Sequence, residues 1–400
     1  MALFLALALL LLPGYPAAAA IPDPLVNGGF EQAGATSSSA FDWQPFGSGY
    51  TRVSDAHSGA WGARLRNTSF SQFSGAYQRV DLEQTELKPV FIGGFVKGFN
   101  ISNAPSGYFG AGLYAEIHLQ DGSVAYWNSI ANFGSFPWRW IGFNTGSVAL
   151  VNQPIDYLFV VPILGNARGT ATFDDIAVTE FNPTQAAVTL MFDDGEENAY
   201  TAAKPVLDSY GFVGSAAIIT EMIDEPDFMS AAQLQDLAAG GWEIASHSIT
   251  HSDLTTLSRT AITRELRRSK LDLEELGFTV KNFALPFGAY NGAILAEGAK
   301  YYSSVRAFEQ GQNPQGTFPF DVKVRGVINS TTPAELEGWI NQALLNKQWV
   351  VIVFHKITEV GDDAFYTPPA AFAEMLAAVA GSGVPVLTYN QGLELFRVSP

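Results

Sequence analysis

The stretch Ala187-Val188-Thr189-Leu190-Met191-Phe192-Asp193-Asp194-Gly195 decides how this chain is read. Ala187–Phe192 is apolar and strand-like, and two carboxylates follow at once. Neighbours within a strand point to opposite faces. Two adjacent carboxylates can therefore serve one site only where the strand breaks, and Gly195 permits that break. The bland alternative is a pair of turn aspartates. Phe173-Asp174-Asp175 lacks the Gly and reads as structural.

Downstream of this stretch, strand-like and helical runs alternate. Tyr200–Tyr210 is helical and stops at Gly211. Ser215–Thr220, Ala231–Ala239 and Trp242–Ala245 read as strand, helix and strand. Arg259–Leu276 is a long helix ending at Gly277. Thr332-Pro333-Ala334-Glu335 is a capping box that opens another helix. Val350–Phe354, Ala370–Ala380 and Val384–Tyr389 continue the alternation. Residues 186–397 thus form a βα-repeat unit with a parallel sheet or barrel. Functional groups gather at the carboxyl ends of such strands.

Upstream, residues 21–182 read as all-β. Short alternating runs are separated by Gly, Ser, Asn and Asp turns, and Asp121-Gly122 is a strong hairpin signal. This composition suits a β-sandwich. Asn182–Gln185 is a short connection, so the two halves should abut. Residues 2–12 form an apolar run that ends at Pro13-Gly14, and Ala18-Ala19-Ala20 precedes Ile21. Residues 1–20 therefore read as a secretory signal, although no Lys or Arg precedes the run. The expectation is a secreted or periplasmic protein that leaves no membrane anchor after cleavage.

Composition narrows the chemistry. Hydrophobic residues make up 47% and charged residues 15%, which suits large cores. The net charge of -17 argues against a nucleic-acid partner. There is no Cys, so disulfides, thiol nucleophiles and thiolate metal sites are excluded. A transition metal must use His and carboxylate, and only five His are present. His247-Ser248-Ile249-Thr250-His251 follows a strand, and two His four apart can hold one divalent ion. Position 248 is Ser, so the HExxH protease pattern is absent. His355 ends the strand Val350–Phe354. Phe283-Ala284-Leu285-Pro286-Phe287-Gly288 is a strand and tight turn able to aim a backbone N–H into a site.

With these motifs in this order, residues 187–397 resemble the polysaccharide deacetylase (NodB-homology, carbohydrate esterase family 4) domain. Phe192-Asp193-Asp194-Gly195, His247–His251 and Val353-Phe354-His355 match three of its motifs, with Val353 where Leu is usual. The resemblance implies a distorted (β/α)7 barrel. It implies metal-assisted hydrolysis of acetyl groups on chitin, peptidoglycan, poly-N-acetylglucosamine or xylan. Carried over, Asp194, His247 and His251 hold a divalent ion, zinc first, with cobalt, nickel or manganese permitted. Asp193 is the base, His355 the acid, and the Phe287 N–H meets the oxyanion. The acetyl methyl would lie against apolar residues such as Phe354. The family often has Arg where this chain has Ala284, and Arg325 is expected to supply that charge. No acidic partner for His355 is evident.

The first half resembles carbohydrate-binding jelly-roll modules through Leu25–Glu31, Ser58–Trp61 and Phe173–Val178. Glu31 with Asp174 or Asp175 would then hold a structural calcium. Two or three of Trp43, Tyr108, Tyr126, Trp127 and Trp138 would stack on sugars. Two other classes compete. A glycoside hydrolase needs two carboxylates and no metal, which leaves the three strand-end His unexplained. A non-catalytic glycan-binding protein would have a degenerate barrel, yet the site residues are all present.

Overall fold

A computed structural model of the chain describes residues 23–103 and 109–398. The segment read as an export signal and Tyr108 lie outside the described residues. The first half is built from β1 (Gln44–Phe46), β2 (Tyr50–Val53), β3 (Gly62–Asn67), β4 (Phe73–Asp81), β5 (Val90–Asn103), β6 (Gly110–Leu119), β7 (Val124–Asn128), β8 (Gly134–Asn144), β9 (Ile155–Gly165) and β10 (Ala167–Glu180). These pair antiparallel into two five-stranded sheets, ordered β1-β4-β9-β6-β7 and β2-β3-β10-β5-β8. Inward side chains of both sheets, among them Leu65, Val96, Phe173, Ile117 and Val160, bury one shared core. Period-2 alternation turns the other side chains outward, where polar residues are mixed with aromatics such as Phe99 and Trp127. Asp121-Gly122 does turn the β6–β7 hairpin, with Gly122 at φ +85°.

The second half is a closed parallel barrel of seven strands: β11 (Ala187–Phe192), β12 (Ser215–Ile218), β13 (Glu243–Ser246), β14 (Asn282–Ala284), β15 (Ser304–Gln310), β16 (Val322–Gly326) and β17 (Trp349–Phe354). Its helices are α1 (Lys204–Tyr210), α2 (Ala231–Ala239), α3 (Arg259–Glu275), α4 (Gly292–Gly298), α5 (Pro333–Asn346), α6 (Pro369–Ser382) and α7 (Tyr389–Phe396). Every residue of β11 and β17 is buried, as expected for strands covered on both faces. The interior takes small or β-branched residues, Ala187, Ala217, Ala245, Ala284, Val351 and Val353. The outer face presents Leu190, Phe192, Phe283, Ile352 and Phe354 to the helices.

Besides α4, which the sequence does not lead one to expect, two elements differ from the sequence expectation. Val384–Tyr389 is not a strand: Val386 makes a single bridge to Val188, and α7 begins at Tyr389. A capping box of Thr388 and Gln391 opens α7, and Tyr389, Leu393 and Phe396 line one face at helical spacing. That face packs on Trp349 and the barrel interior. The second difference is β15, a strand the sequence reading did not anticipate, and it matters for the site. Among the described residues, no helix is long and apolar enough to cross a membrane.

Candidate active site

Alternation along the barrel strands explains which side chains enter the site. Met191, Ala245 and Val353 face the interior, so Asp193, His247 and His355, two residues on, emerge at the carboxyl end of the same interior face. Asp193 N donates to Phe354 O, which keeps Asp193 in line with β11. Asp194 then breaks the strand at φ +73° and Gly195 continues the turn at φ +84°. The break lets the second carboxylate turn toward the histidines.

His247 and His251 meet Asp194. Each Nε2 lies 3.4 Å from Asp194 Oδ1, and ligand atoms of the three residues all fall within 4.8 Å of one another. Tetrahedral ligands at about 2.0–2.1 Å from an ion stand about 3.4 Å apart, so the donor set fits a divalent metal. His247 Nδ1 lies 2.9 Å from the Ala284 carbonyl. That contact holds the ring so that Nε2, the nitrogen a metal would take, faces Asp194. His247 is 2% exposed, whereas the His251 and Asp194 side chains keep a solvent-facing side.

Burial pushes the Asp194 carboxyl up, but the His247 hydrogen bond and the nearby His247, His355 and His251 charges outweigh it. Asp194 is thus held well below the usual carboxylate range. Burial, then the His247 charge, pushes His251 down, and burial pushes His355 down. Burial lowers His247 too, yet its bond to Asp194 leaves it raised. The lowered Asp194 and His251 favour the ionised carboxylate and neutral imidazole that ligate metals, whereas the proton that raises His247 would be displaced by an ion.

The loop between the histidines is fastened from α3. Glu265 is 6% exposed and accepts from Ile249 N (2.9 Å), Thr250 N (3.1 Å) and Thr250 Oγ1 (3.2 Å). Ser248 Oγ accepts from His251 N at 2.9 Å. Ser248 and His251 both have positive φ, +71° and +56°. Phe287 does as well, at φ +57° and ψ +4°. For a bulky residue that conformation is strained by roughly 1–3 kcal/mol, and such strain clusters at functional sites. The Phe287 ring is 67% exposed and lies 4.6 Å from the His251 ring.

The cation beside Asp193 is Arg306, not Arg325. The Arg306 guanidinium pairs with Asp193 Oδ1, its Nε donates to Met191 Sδ at 3.4 Å, and its Nη1 donates to Ala307 O. Arg306 and Asp193 are 1% and 3% exposed. Arg306 on β15 is in register with Ala284 on β14, and the small Ala284 side chain leaves the interior space that the guanidinium occupies. Arg325 points the other way. Val322 and Val324 fill the barrel interior, so Arg325 falls on the outer face, 5.8 Å from the Trp339 ring of α5. Sequence reading missed Arg306 because 304–310 was not read as a strand. The signal was there in Val305 and Ala307, which flank an Arg of opposite parity and pack outward.

His355 Nδ1 is buried with no hydrogen-bond partner in the described structure. The ring is held instead by Phe365 at 4.9 Å and Phe308 at 5.9 Å. Phe354 faces outward against Phe192 and Phe372, so it cannot meet a substrate methyl. In the first half, Glu31 and Asp174 converge beside Gly29 and fasten the 57–61 loop. Glu31 Oε1 accepts from Ala60 N and Trp61 N, and Asp174 Oδ2 accepts from His57 N and Ser58 N. Those carboxylates already face backbone N–H groups. Trp43 is core, 4% exposed, with Nε1 donating to Asn27 O. Tyr126 and Trp127 are exposed, and Trp138 is partly so.

Residues 180–303 match the polysaccharide deacetylase family. A 130-residue segment, 32% of the chain, is 33% identical to a gellan lyase of Bacillus sp, of which it spans 5%. A 119-residue segment, 30% of the chain, is 29% identical to YxkH of Bacillus subtilis, which carries the name of a polysaccharide deacetylase, and spans 43% of it. The chain thus spans less than half the length of either relative. A solved Xyl-CE4 domain of a multidomain xylanase from the hindgut metagenome of Trinervitermes trinervoides is similar at 19% identity and TM-score 0.38, covering 53% of this chain and 91% of that one. Within the barrel half, residues 180–303 are thus similar to the polysaccharide deacetylase family.

Proposed function

We propose that this protein is a metal-dependent hydrolase that removes acetyl groups from an acetylated polysaccharide. The observation that carries the reading is the convergence of Asp193, Asp194, His247, His251 and His355 at one end of the barrel, with Arg306 on Asp193. Asp194, His247 and His251 would hold the ion, with zinc, cobalt, nickel and manganese all compatible with this donor set. When bound, such an ion supplies Lewis-acid polarisation of a carbonyl and lowers the pKa of water to about 7. Asp193 takes the proton from the attacking water, and Arg306 fixes that carboxylate and balances its charge. The Phe287 N–H faces the developing oxyanion, where a fixed donor acts most strongly. His355 passes a proton to the departing nitrogen or oxygen. Phe287, Phe308 and Phe365 are the aromatic rings set around the histidines.

Asp193 is committed to Arg306 and Asp194 to two histidines, which supports deacetylation over glycosidic cleavage. The first half is read as a glycan-binding module. Strands β3-β10-β5-β8 facing β4-β9-β6-β7 follow a jelly-roll order, which supports that reading. Export of the chain rests on residues 1–20 alone and is checked by sequencing the N-terminus of secreted protein. The enzymatic test is acetate release from a panel of N- and O-acetylated glycans by metal-loaded protein. Acetate should appear, stop with chelator and be absent in Asp193→Asn. Chelator-resistant activity that makes new reducing ends would instead identify a glycoside hydrolase.

A further inference from the structure

The outward face of the sheet β2-β3-β10-β5-β8 carries an ordered grid of side chains with no role in the barrel site. Register defines two rows. Thr51, Arg64, Thr172 and Lys97 lie side by side on β2, β3, β10 and β5, and Arg66, Thr170 and Phe99 lie side by side one step along. Ala63, Leu65, Ala171, Phe173 and Val96 alternate with them into the core, so the grid faces away from it. Trp138 on β8 extends the first row, with Lys97 Nζ 5.0 Å from its ring. The two rows, without Trp138, line a groove of about 840 Å³.

The charge of this groove runs against that of the chain. The protein carries -17 overall, yet Arg64, Arg66 and Lys97 line the groove against one acid, Asp55. Asp55 pairs with Lys97, lies 3.7 Å from Arg64 and accepts from Thr172 Oγ1 at 3.5 Å. It holds two of the cations in place without cancelling all three. Arg66 is exposed and makes no ion pair among the described residues. Phe99 is 65% exposed beside it.

We propose that this groove binds an acidic polysaccharide, a chain bearing carboxylates of the uronic-acid kind, laid across the strands. A chain in that direction meets a new side chain about every 4.8 Å. Arg forks recognise carboxylates bidentately. The threonine hydroxyls match sugar hydroxyls, and Phe99 offers a face for a sugar ring. The large negative net charge disfavours a nucleic acid, whose affinity is dominated by phosphate neutralisation. The inference rests on the proposed polysaccharide activity only for its choice of ligand class, and the groove is separate from the barrel residues.

The test measures retention of the full chain by polygalacturonate in native affinity electrophoresis. Its carboxyl-reduced neutral counterpart and inorganic polyphosphate serve as parallel arms. Polygalacturonate should retain the protein, less so as salt is raised. Arg64→Gln/Arg66→Gln/Lys97→Gln should weaken retention by about tenfold or more. Arg79→Gln, on the opposite sheet, and Asp194→Asn should retain it in full. If the triple variant has a lowered Tm, the single Arg66→Gln at an exposed position should still weaken retention by about threefold. Equal retention by the carboxyl-reduced polymer, retention by polyphosphate alone, retention untouched by the triple variant, or no retention would each overturn the proposal. Loss of acetate release with retention intact would fault only the enzymatic reading.

Discussion

A buried carboxylate without a cation beside it is costly, and Asp193 is almost wholly buried. Removing its partner by Arg306→Met should cost roughly 3–5 kcal/mol of stability, read as a fall in Tm. Adding Asp193→Asn to Arg306→Met should recover much of that loss, because the orphaned charge goes with it. Arg306→Lys should not restore activity, since a point charge cannot copy the planar fork. Phe287 tests a different cost. Phe287→Gly should raise stability by up to about 1 kcal/mol by relieving the positive φ, while raising KM through loss of the exposed ring. At Asp174, burial raises the carboxyl to about 6, against backbone hydrogen bonds from Ser58, Asp175 and His57 that pull it down. The folded pKa lies above the unfolded value of about 3.9, so the folded state holds the proton more tightly. Its contribution to stability therefore falls as pH rises from about 4 to about 6 and is level above that. The Tm of wild type minus that of Asp174→Asn should decline across this window, and a flat difference would refute the assignment.

The elements bearing the site owe their shape to short-range rules with one long-range fastening. The capping box at Thr332 and Glu335 was legible in the sequence and is present, with Thr332 Oγ1 and Glu335 Oε2 each accepting the other's backbone N–H. The His247–His251 turn was legible as a ligand pair, but its stiffness was not. That stiffness comes from Glu265, sixteen residues beyond Ile249 and on another element. Groups that fasten metal ligands from behind, as Glu265 fastens the backbone between the two histidines, are worth about 10–100-fold in metal affinity. Glu265→Ala should therefore weaken zinc binding by that order in chelator competition, and Glu265→Gln should recover part of it through its remaining acceptor. A mere loss of helix stability would lower Tm without moving the metal affinity.

At the scale of the whole molecule, the two halves are joined by specific contacts. Phe91, Phe181, Phe318 and Val398 form one buried cluster with Trp140 and Phe320 against it. Asn144 Nδ2 donates to Gln315 O and Gly316 O, and Arg139 Nη1 donates to Gly292 O. These bonds tie β8 to the barrel loops. The two halves should therefore unfold in a single calorimetric transition. Phe318→Ala removes about 3–5 kcal/mol of packing from the junction. It should split the transition in two while leaving the barrel fold intact.

The sequence by itself determined the division into an all-β half and a βα half, and it located Asp193, Asp194, His247, His251 and His355. Those residues follow strand-like runs, and local periodicity with strand-end turns is written in neighbouring residues. Tertiary structure alone decided the rest. Which cation reaches Asp193 depends on strand parity and on the register of β14 with β15, which no single segment reveals. Arg306 took the place expected for Arg325 because Ala284, one strand away, leaves room for it. Phe354 left the site for the same reason: contacts between distant segments choose which face a side chain occupies.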